Sequence, residues 1–540
     1  MAPRMRALQD DLQPVRWVVW SAADLRPLIE AGVRVERAWD CAQAHRLRFG
    51  GWRAGPQDIW CAAHDLDPAR SPATPSDDLF DFGEHTDVPA PESVTTPAGY
   101  LRADAVLGRW QEALLPEGTG RLLEWARAAY EAGARQQDSL RSGSGAWLST
   151  AISESAAAVL CLELEQVGLP IDRRVMSELI TASAGPRPES TEAELTHRAA
   201  RDAQVRSLVP GQELADLRNP VQVRELLLAA GIDVPNTRKW TLEAFRDAHP
   251  VVPALLAWRA DERIATTYGW RWLDAHVGAD DRLRGRWSAC DGAAGRMTAE
   301  NGLHNLPTAL RRGVAAAPGH RFVRADLGQI EPRVLAAVSG DEAFMAATRA
   351  DDLYAPVAAR LGVERAVAKV AVLAAMYGQR SGTAGEALAG LRRAYPVAVR
   401  LLEDAAERGS RGESVRTAGG RVVHTAPASE RGQPSAPAIA AARGRFARNA
   451  VIQGSAAELC KAWAATTRAT TADLGAEIVL CLHDELLVHV PSPAAGECAR
   501  RVDQALQDAA RRWLAPLGRD ESVRFVADVS VIDRWSEAKG

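Results

Sequence analysis

Residues 477–491, EIVLCLHDELLVHVP, constrain this chain more than any other segment. Two short apolar runs flank His483, Asp484 and Glu485, so the segment reads as two strands of a hairpin joined by a polar tight turn. Apolar strands do not favour an acidic tip unless it faces water or a cation. A second acid has a similar setting. HRFVRADLGQIEPRVLAAVSGD reads as a short strand running into a helix, with Asp326 where the strand gives way. VRFVADVSVI, near the end of the sequence, reads as one more strand.

Upstream, helical patterning dominates from about residue 119 to 270. GTGRLLEWARAAYEAGARQQ has apolar residues near helical spacing. SESAAAVLCLELEQVGLPID reads as a helix ending at Gly168, Leu169 and Pro170. NPVQVRELLLAAGIDV reads as a helix opened by Asn219, with Pro220 suited to its first turn. Residues 14–115 mix short apolar runs with loops, and the stretch from Asp67 to Ala98 is rich in Pro, Ser, Asp and Thr. The class that follows is α+β, a helical half followed by a sheet bearing inserted helices.

At 540 residues the chain exceeds one ordinary core, and about two to four domains are expected. Seven cysteines form no CxxC pair, which supports neither a disulfide framework nor a zinc site. No run is expected to approach the length of a membrane span, and the N-terminus does not read as a secretory signal. The net charge of -4 speaks mildly against a nucleic-acid binder, but phosphate binding depends on the local field, and arginines cluster in ARGRFARN and LRRG. Only Lys239, Lys369, Lys461 and Lys539 are lysines, so each is more informative than usual.

Carboxylates are the hard ligands that Mg²⁺ selects. Two of them from different strands can hold two ions about 4 Å apart, one activating an attacking hydroxyl and one bridging phosphates. Taken singly, Asp326 and Asp484 read as ordinary turn residues. In ERAVAKVAVLAAMYGQ, Arg365, Lys369, Leu373 and Tyr377 recur every four residues and share one helix face. Such a face suits a triphosphate below a base and sugar, although one amphipathic helix with a solvated basic end looks the same. Arg445, Asn449 and Gln453 share a face of ARGRFARNAVIQGSAAELCKAW, which suits minor-groove acceptors or is a plain polar face.

Together these segments resemble the family A DNA polymerases, the group of bacterial DNA polymerase I. DLGQIEPRVLAAVSGD is similar to the first palm motif, D-x-S-Q-I-E-L-R. RAVAKVAVLAAMYG resembles the fingers-helix motif, R-x(3)-K-x(3)-F-G-x(2)-Y-G, and LHDELLV resembles the H-D-E motif. GRMTAENGLHNLP and RNAVIQGSAAE are similar to two further stretches of the family, in the family's order. The resemblance runs from about residue 150 to the C-terminus.

The resemblance implies a right-hand polymerase with a palm sheet, helical thumb and fingers. It implies two Mg²⁺ ions, or Mn²⁺, on Asp326 and Asp484, with Glu485 assisting. Arg365 and Lys369 would bind the incoming triphosphate, with Lys369 as a candidate proton donor to pyrophosphate. Gln329 and Leu373 belong to the same nucleotide site, Glu331 would be the steric gate against a ribose 2′-OH, and Tyr377 would lie at the templating position. His483 would touch the primer terminus. Arg296, Asn305, Arg445, Asn449 and Gln453 would line the primer–template. Asn219, Gln222, Arg259, Arg263 and Thr267 resemble duplex-contacting thumb positions less specifically. The chain departs from the pattern at Leu373, which replaces an aromatic, and at Ala374, Gly328, Pro332 and His304. The link between Asp326 and Arg365 is short, so trimmed fingers are expected.

Before the thumb, Tyr100 and Asp104 in AGYLRADAVLGRWQ resemble the Y-x(3)-D motif of a 3′–5′ exonuclease domain, and VERAWDCAQAHRLR resembles an inner strand and helix of it, with Asp40 not a metal ligand. No D-x-E marks an opening strand, and one Asp cannot hold two ions. The expectation is a reduced RNase H-like exonuclease-type domain without active proofreading over 1–118. A helical linker and thumb are expected over 119–285, palm over 286–350, fingers over 351–450 and palm again over 451–540. No upstream 5′-nuclease segment is expected. EPRVLAAVSGD, DLYAPVAARLG and SESAAAVLCLE resemble an actinobacterial branch named for bifunctional 3′–5′ exonuclease/DNA polymerases. The function implied is DNA-templated addition of deoxynucleotides to a primer 3′-OH, in repair or gap filling, by a cytoplasmic, nucleoid-associated monomer. The alternative is a catalytically weak DNA-binding homologue with a structural or regulatory role. A single-subunit RNA polymerase shares such a palm, but Glu331 favours deoxynucleotides.

Overall fold

A computed structural model describes residues 15–72, 93–107, 119–378, 383–431, 435–482, 484–519 and 522–538, with Met5, Ala7 and Leu12. The chain forms two compact units, one of residues 1–167, 286–299 and 321–531, the other of 168–285, 300–320 and 532–540.

The larger unit is built on a four-stranded sheet. Strand β1 (His320–Leu327) runs into helix α1 (Ile330–Ser339). Helix α2 (Arg365–Tyr377) and the 34-residue helix α3 (Pro437–Thr470) follow. Strands β2 (Glu477–Leu482) and β3 (Glu485–Pro491) pair antiparallel as the expected hairpin. Strand β4 (Ala527–Ile532) closes the order β2-β3-β1-β4. β2 and β3 are buried on both faces, as their unbroken apolar runs require. A Cβ at Gly328 would lie 2.9 Å from the Val526 side chain, and Pro332 sits in the first turn of α1, where no intrahelical N–H is lost.

In the N-terminal part of this unit, Trp17–Val19 and Ala38–Asp40 pair in parallel, followed by a helix over Cys41–Phe49. They pack on helices Thr119–Arg141 and Gly145–Val167 around Trp20, Trp39, Leu47, Ile59 and Trp60. Gly133 permits the close approach, since a Cβ there would lie 2.9 Å from Val18 and 3.1 Å from Trp39. The acids of this region have structural partners. Asp40 is fully buried, accepts the N–H groups of Ala22 and Gln43, and is pushed by burial up to about 6. Asp104 is paired with Arg102 and Arg121.

Residues 146–167 correct one expectation. By length and composition this helix is apolar enough to cross a membrane, although most of it is buried. It carries Glu154, wholly buried, whose carboxylate meets Lys461 at 2.5 Å and Arg421 at 2.8 Å. The seven cysteines are all free and buried.

The smaller unit is helical. Asn219 caps the helix Pro220–Ala229 by accepting the Val221 N–H. The core gathers Val223, Leu226, Leu227, Leu255 and Trp258. Arg218 ties Asp202 to Glu262, at 2.7 Å from each. Gln222, Arg259 and Arg263 bond within the unit to the backbone of Asp216, Thr237 and Asn305.

Candidate active site

The end of β1 and the β2–β3 turn are joined by the backbone: the Leu327 N–H donates to the Asp484 carbonyl at 2.9 Å. This one bond sets Asp326 and Asp484 side by side, though they are far apart in sequence. Residues 324 and 326 share a face of β1 because strand side chains alternate. On that face Arg324 is nearly buried and donates from three nitrogens to three acids. It reaches Asp326 Oδ2 and Glu485 Oε1 at 2.8 Å each, and Asp528 Oδ2 at 3.2 Å.

One guanidinium thus faces four carboxylates, those of residues 326, 484, 485 and 528. Burial, then repulsion from Asp484, pushes the Asp326 carboxyl up to about 6. Burial also raises Asp484, and Glu485 and Glu331 add repulsion. Two half-buried acids that resist ionising together are a donor set short of positive charge, and hard cations take such oxygens. Among the described residues no group of three or more His, Cys, Asp or Glu side chains is placed to hold a metal ion. The set that fits a cation is the open pair Asp326 and Asp484, which leaves positions for substrate oxygens.

Helix α2 presents its four-residue spacing as expected. Arg365, Lys369 and Tyr377 are exposed and Leu373 is half-buried. Arg365 pairs with Asp352, at 2.5 Å from Nε. Asp352 also accepts from the Gln329 amide at 3.1 Å, while Gln329 Oε1 takes the Leu353 N–H at 2.9 Å. These bonds hold Gln329 at φ 52, a left-handed conformation that costs free energy outside glycine. At the other end of α2, the Tyr377 hydroxyl donates to Glu331 Oε2 at 3.0 Å. Burial, then the Glu331 charge, raises that phenol to about 12.

A cavity of about 300 Å³ lies between α1, α2 and α3, the low end of the range for ligand pockets. Its wall includes Arg296, Gln329, Glu331, Leu373, Tyr377, Gln453 and Asp484. Arg365, Lys369, Asp326, Glu485, Arg445 and Asn449 stand outside that wall. On α3, Arg445 is exposed and packs beside Gly378, and Asn449 is half-buried. Asn305 belongs to the smaller unit, where its carbonyl accepts from Arg263 and the Tyr268 hydroxyl. His483 lies outside the described residues.

Several residues at or beside the site escaped sequence reasoning. Arg324 stands two residues before Asp326, so strand alternation could have flagged it. Tyr354 and Lys461 line the cavity. Lys461 is buried, bonded to Glu154 and to the carbonyls of Ala289 and Gly295. Asp352 and Asp528 carried no local signal, because their partners lie on other elements.

The family model for DNA polymerase family A matches residues 189–537. DNA polymerase I of Chloroflexus aurantiacus is 31% identical over 308 residues, which is 51% of this chain and 32% of that protein. The thermostable DNA polymerase I of Thermus thermophilus is 28% identical over 333 residues, 56% of this chain and 38% of that protein. The chain thus spans well under half the length of these relatives. Among solved structures, the POL domain of Pol1 from M. smegmatis, in complex with DNA primer-template and dNTP, superposes with a TM-score of 0.64 at 20% identity. The match covers 94% of this chain and 84% of that one, and it bears on the fold alone.

Proposed function

Because this chain belongs to DNA polymerase family A, we propose that it is a DNA-directed DNA polymerase adding deoxynucleotides to a primer 3′-OH. The observation that carries this reading is the apposition of Asp326 and Asp484 beside a cavity walled by α2. Held by these two acids, with Glu485 nearby, Mg²⁺ or Mn²⁺ would supply acidification of the primer hydroxyl and neutralisation of the triphosphate.

The chain's own residues do the rest. Arg365 exchanges Asp352 for a phosphate, a change of one anionic partner for another. Lys369, exposed four residues on, binds the same triphosphate and donates a proton to the departing pyrophosphate. Leu373 and Tyr377 wall the base and sugar. Glu331, fixed by the Tyr377 hydroxyl, stands where a 2′-OH would enter. Gln329 fixes the turn that presents Glu331. Arg296, Asn305, Arg445, Asn449, Gln453 and His483 contact the primer–template.

The proposed organisation is an exonuclease-type remnant over 1–118, a helical linker and thumb over 119–285, palm over 286–350 and 451–540, and fingers over 351–450. Asp40 caps a helix and Asp104 is held by two arginines, which supports a segment without proofreading; the role proposed with it is repair or gap filling in the cytoplasm. Primer extension by the full chain with Mg²⁺ and dNTPs is the test. Wild type should extend and Asp484→Ala should not, while both retain DNA binding. Equal extension by the variant refutes the site, and no extension by the wild type on any primed template favours the DNA-binding homologue instead.

A further inference from the structure

We propose that Arg324 is a positioning residue that governs access of divalent cations to Asp326. Its guanidinium holds Asp326 and Glu485 and yields Asp326 to a cation. This rests on the reading of Asp326 and Asp484 as the cation-holding pair.

Three observations carry it. The Arg324 side chain is 6% exposed and spends a different nitrogen on each of Asp326, Glu485 and Asp528. A buried guanidinium cannot be left without anions. Losing Asp326 would still leave it Glu485 and the largely exposed Asp528, so the exchange does not strand the charge. Asp484, by contrast, makes no ion pair among the described residues; Arg324 acts on it only through its field. The two acids are therefore unequal. A cation meets Asp484 without displacing a partner, whereas at Asp326 it competes with a fixed positive charge bonded to Oδ2 at 2.8 Å.

Arg324→Gln keeps hydrogen-bond donors and removes the competing charge, so it should tighten cation binding. A charge this close acts through a partly buried medium, and the expected gain is about tenfold in Kd. The probe is Mn²⁺ alone, titrated into the full chain without DNA or nucleotide. Free Mn²⁺ is read by electron paramagnetic resonance, and the rise in melting temperature with Mn²⁺ serves as a second readout. Arg324→Lys keeps the charge but has one nitrogen for three acids. It should tighten Mn²⁺ binding less than Gln does, and it carries the test if the Gln variant does not fold. Asp326→Asn should weaken binding in both backgrounds. Unchanged or weaker Mn²⁺ binding in the Arg324 variants, with Asp326→Asn still weakening it, overturns the role of Arg324 and leaves the cation site standing. Binding indifferent to Asp326→Asn overturns the site itself, and this proposal with it.

Discussion

Removal of the Tyr377 hydroxyl tests the proposal that the cavity walled by α2 holds a nucleotide and selects its sugar. Tyr377→Phe deletes the 3.0 Å bond to Glu331 Oε2 and leaves the ring in place. A hydrogen bond to a charged acceptor contributes about 1.5–3 kcal/mol net. Tyr377 is 40% exposed, so water competes and the lower end applies, about 1.5 kcal/mol. If that free energy orients Glu331 against a 2′-OH, its loss lowers discrimination between dNTP and rNTP about tenfold. Single-nucleotide incorporation, read as the ratio of kcat/KM for the two sugars, measures it. The ratio should fall mainly because ribonucleotides improve. A ratio within about twofold of wild type, with Tyr377→Phe folded, would refute the claim that this bond aims the gate.

Three other expectations concern packing, charge and pH. Leu373→Phe returns an aromatic face to the cavity; at about 0.5–1.5 kcal/mol for such contacts, dNTP Kd should fall several-fold and dideoxynucleotide acceptance should shift, and unchanged pre-steady-state kinetics would show the position to be silent. Glu154→Gln leaves Lys461 and Arg421 buried without their shared anion, a loss of about 3–5 kcal/mol, measured by chemical denaturation; a loss below about 1 kcal/mol contradicts the network. Asp326 holds its proton up to about pH 6, so acidification from pH 7.5 to 6 sets protons against the cation, and half-maximal Mg²⁺ in primer extension should rise over that interval. A Mg²⁺ requirement flat across it would separate Asp326 from cation binding.

The elements that patterning made legible are those whose local sequence decides their structure. The hairpin around residues 477–491 joins two apolar runs at an acidic turn, the strand through Asp326 is a short alternating segment before a helix, and both formed as expected. The face of Arg365, Lys369, Leu373 and Tyr377 was legible because helical spacing is arithmetic. The residues that answer these charges were not legible. Asp352 meets Arg365, and Asp528 meets Arg324, only because the chain brings distant segments together. The lysine-poor composition marked Lys461 as informative, but the sequence did not say that it would be buried against Glu154 rather than offered to phosphate. Residues 146–167 are illegible for the converse reason: a buried core helix and a spanning helix share one composition, and only packing separates them.

Every role proposed for the site depends on Asp326 and Asp484 sharing divalent cations beneath α2. Crystals of the full chain grown with Mn²⁺, primer–template and a non-hydrolysable dNTP, measured at the manganese absorption edge, address it directly. Anomalous density is expected between the two carboxylates, with Arg324 turned away from Asp326 Oδ2. Anomalous density elsewhere, or none at these two side chains with the nucleotide bound, would contradict it.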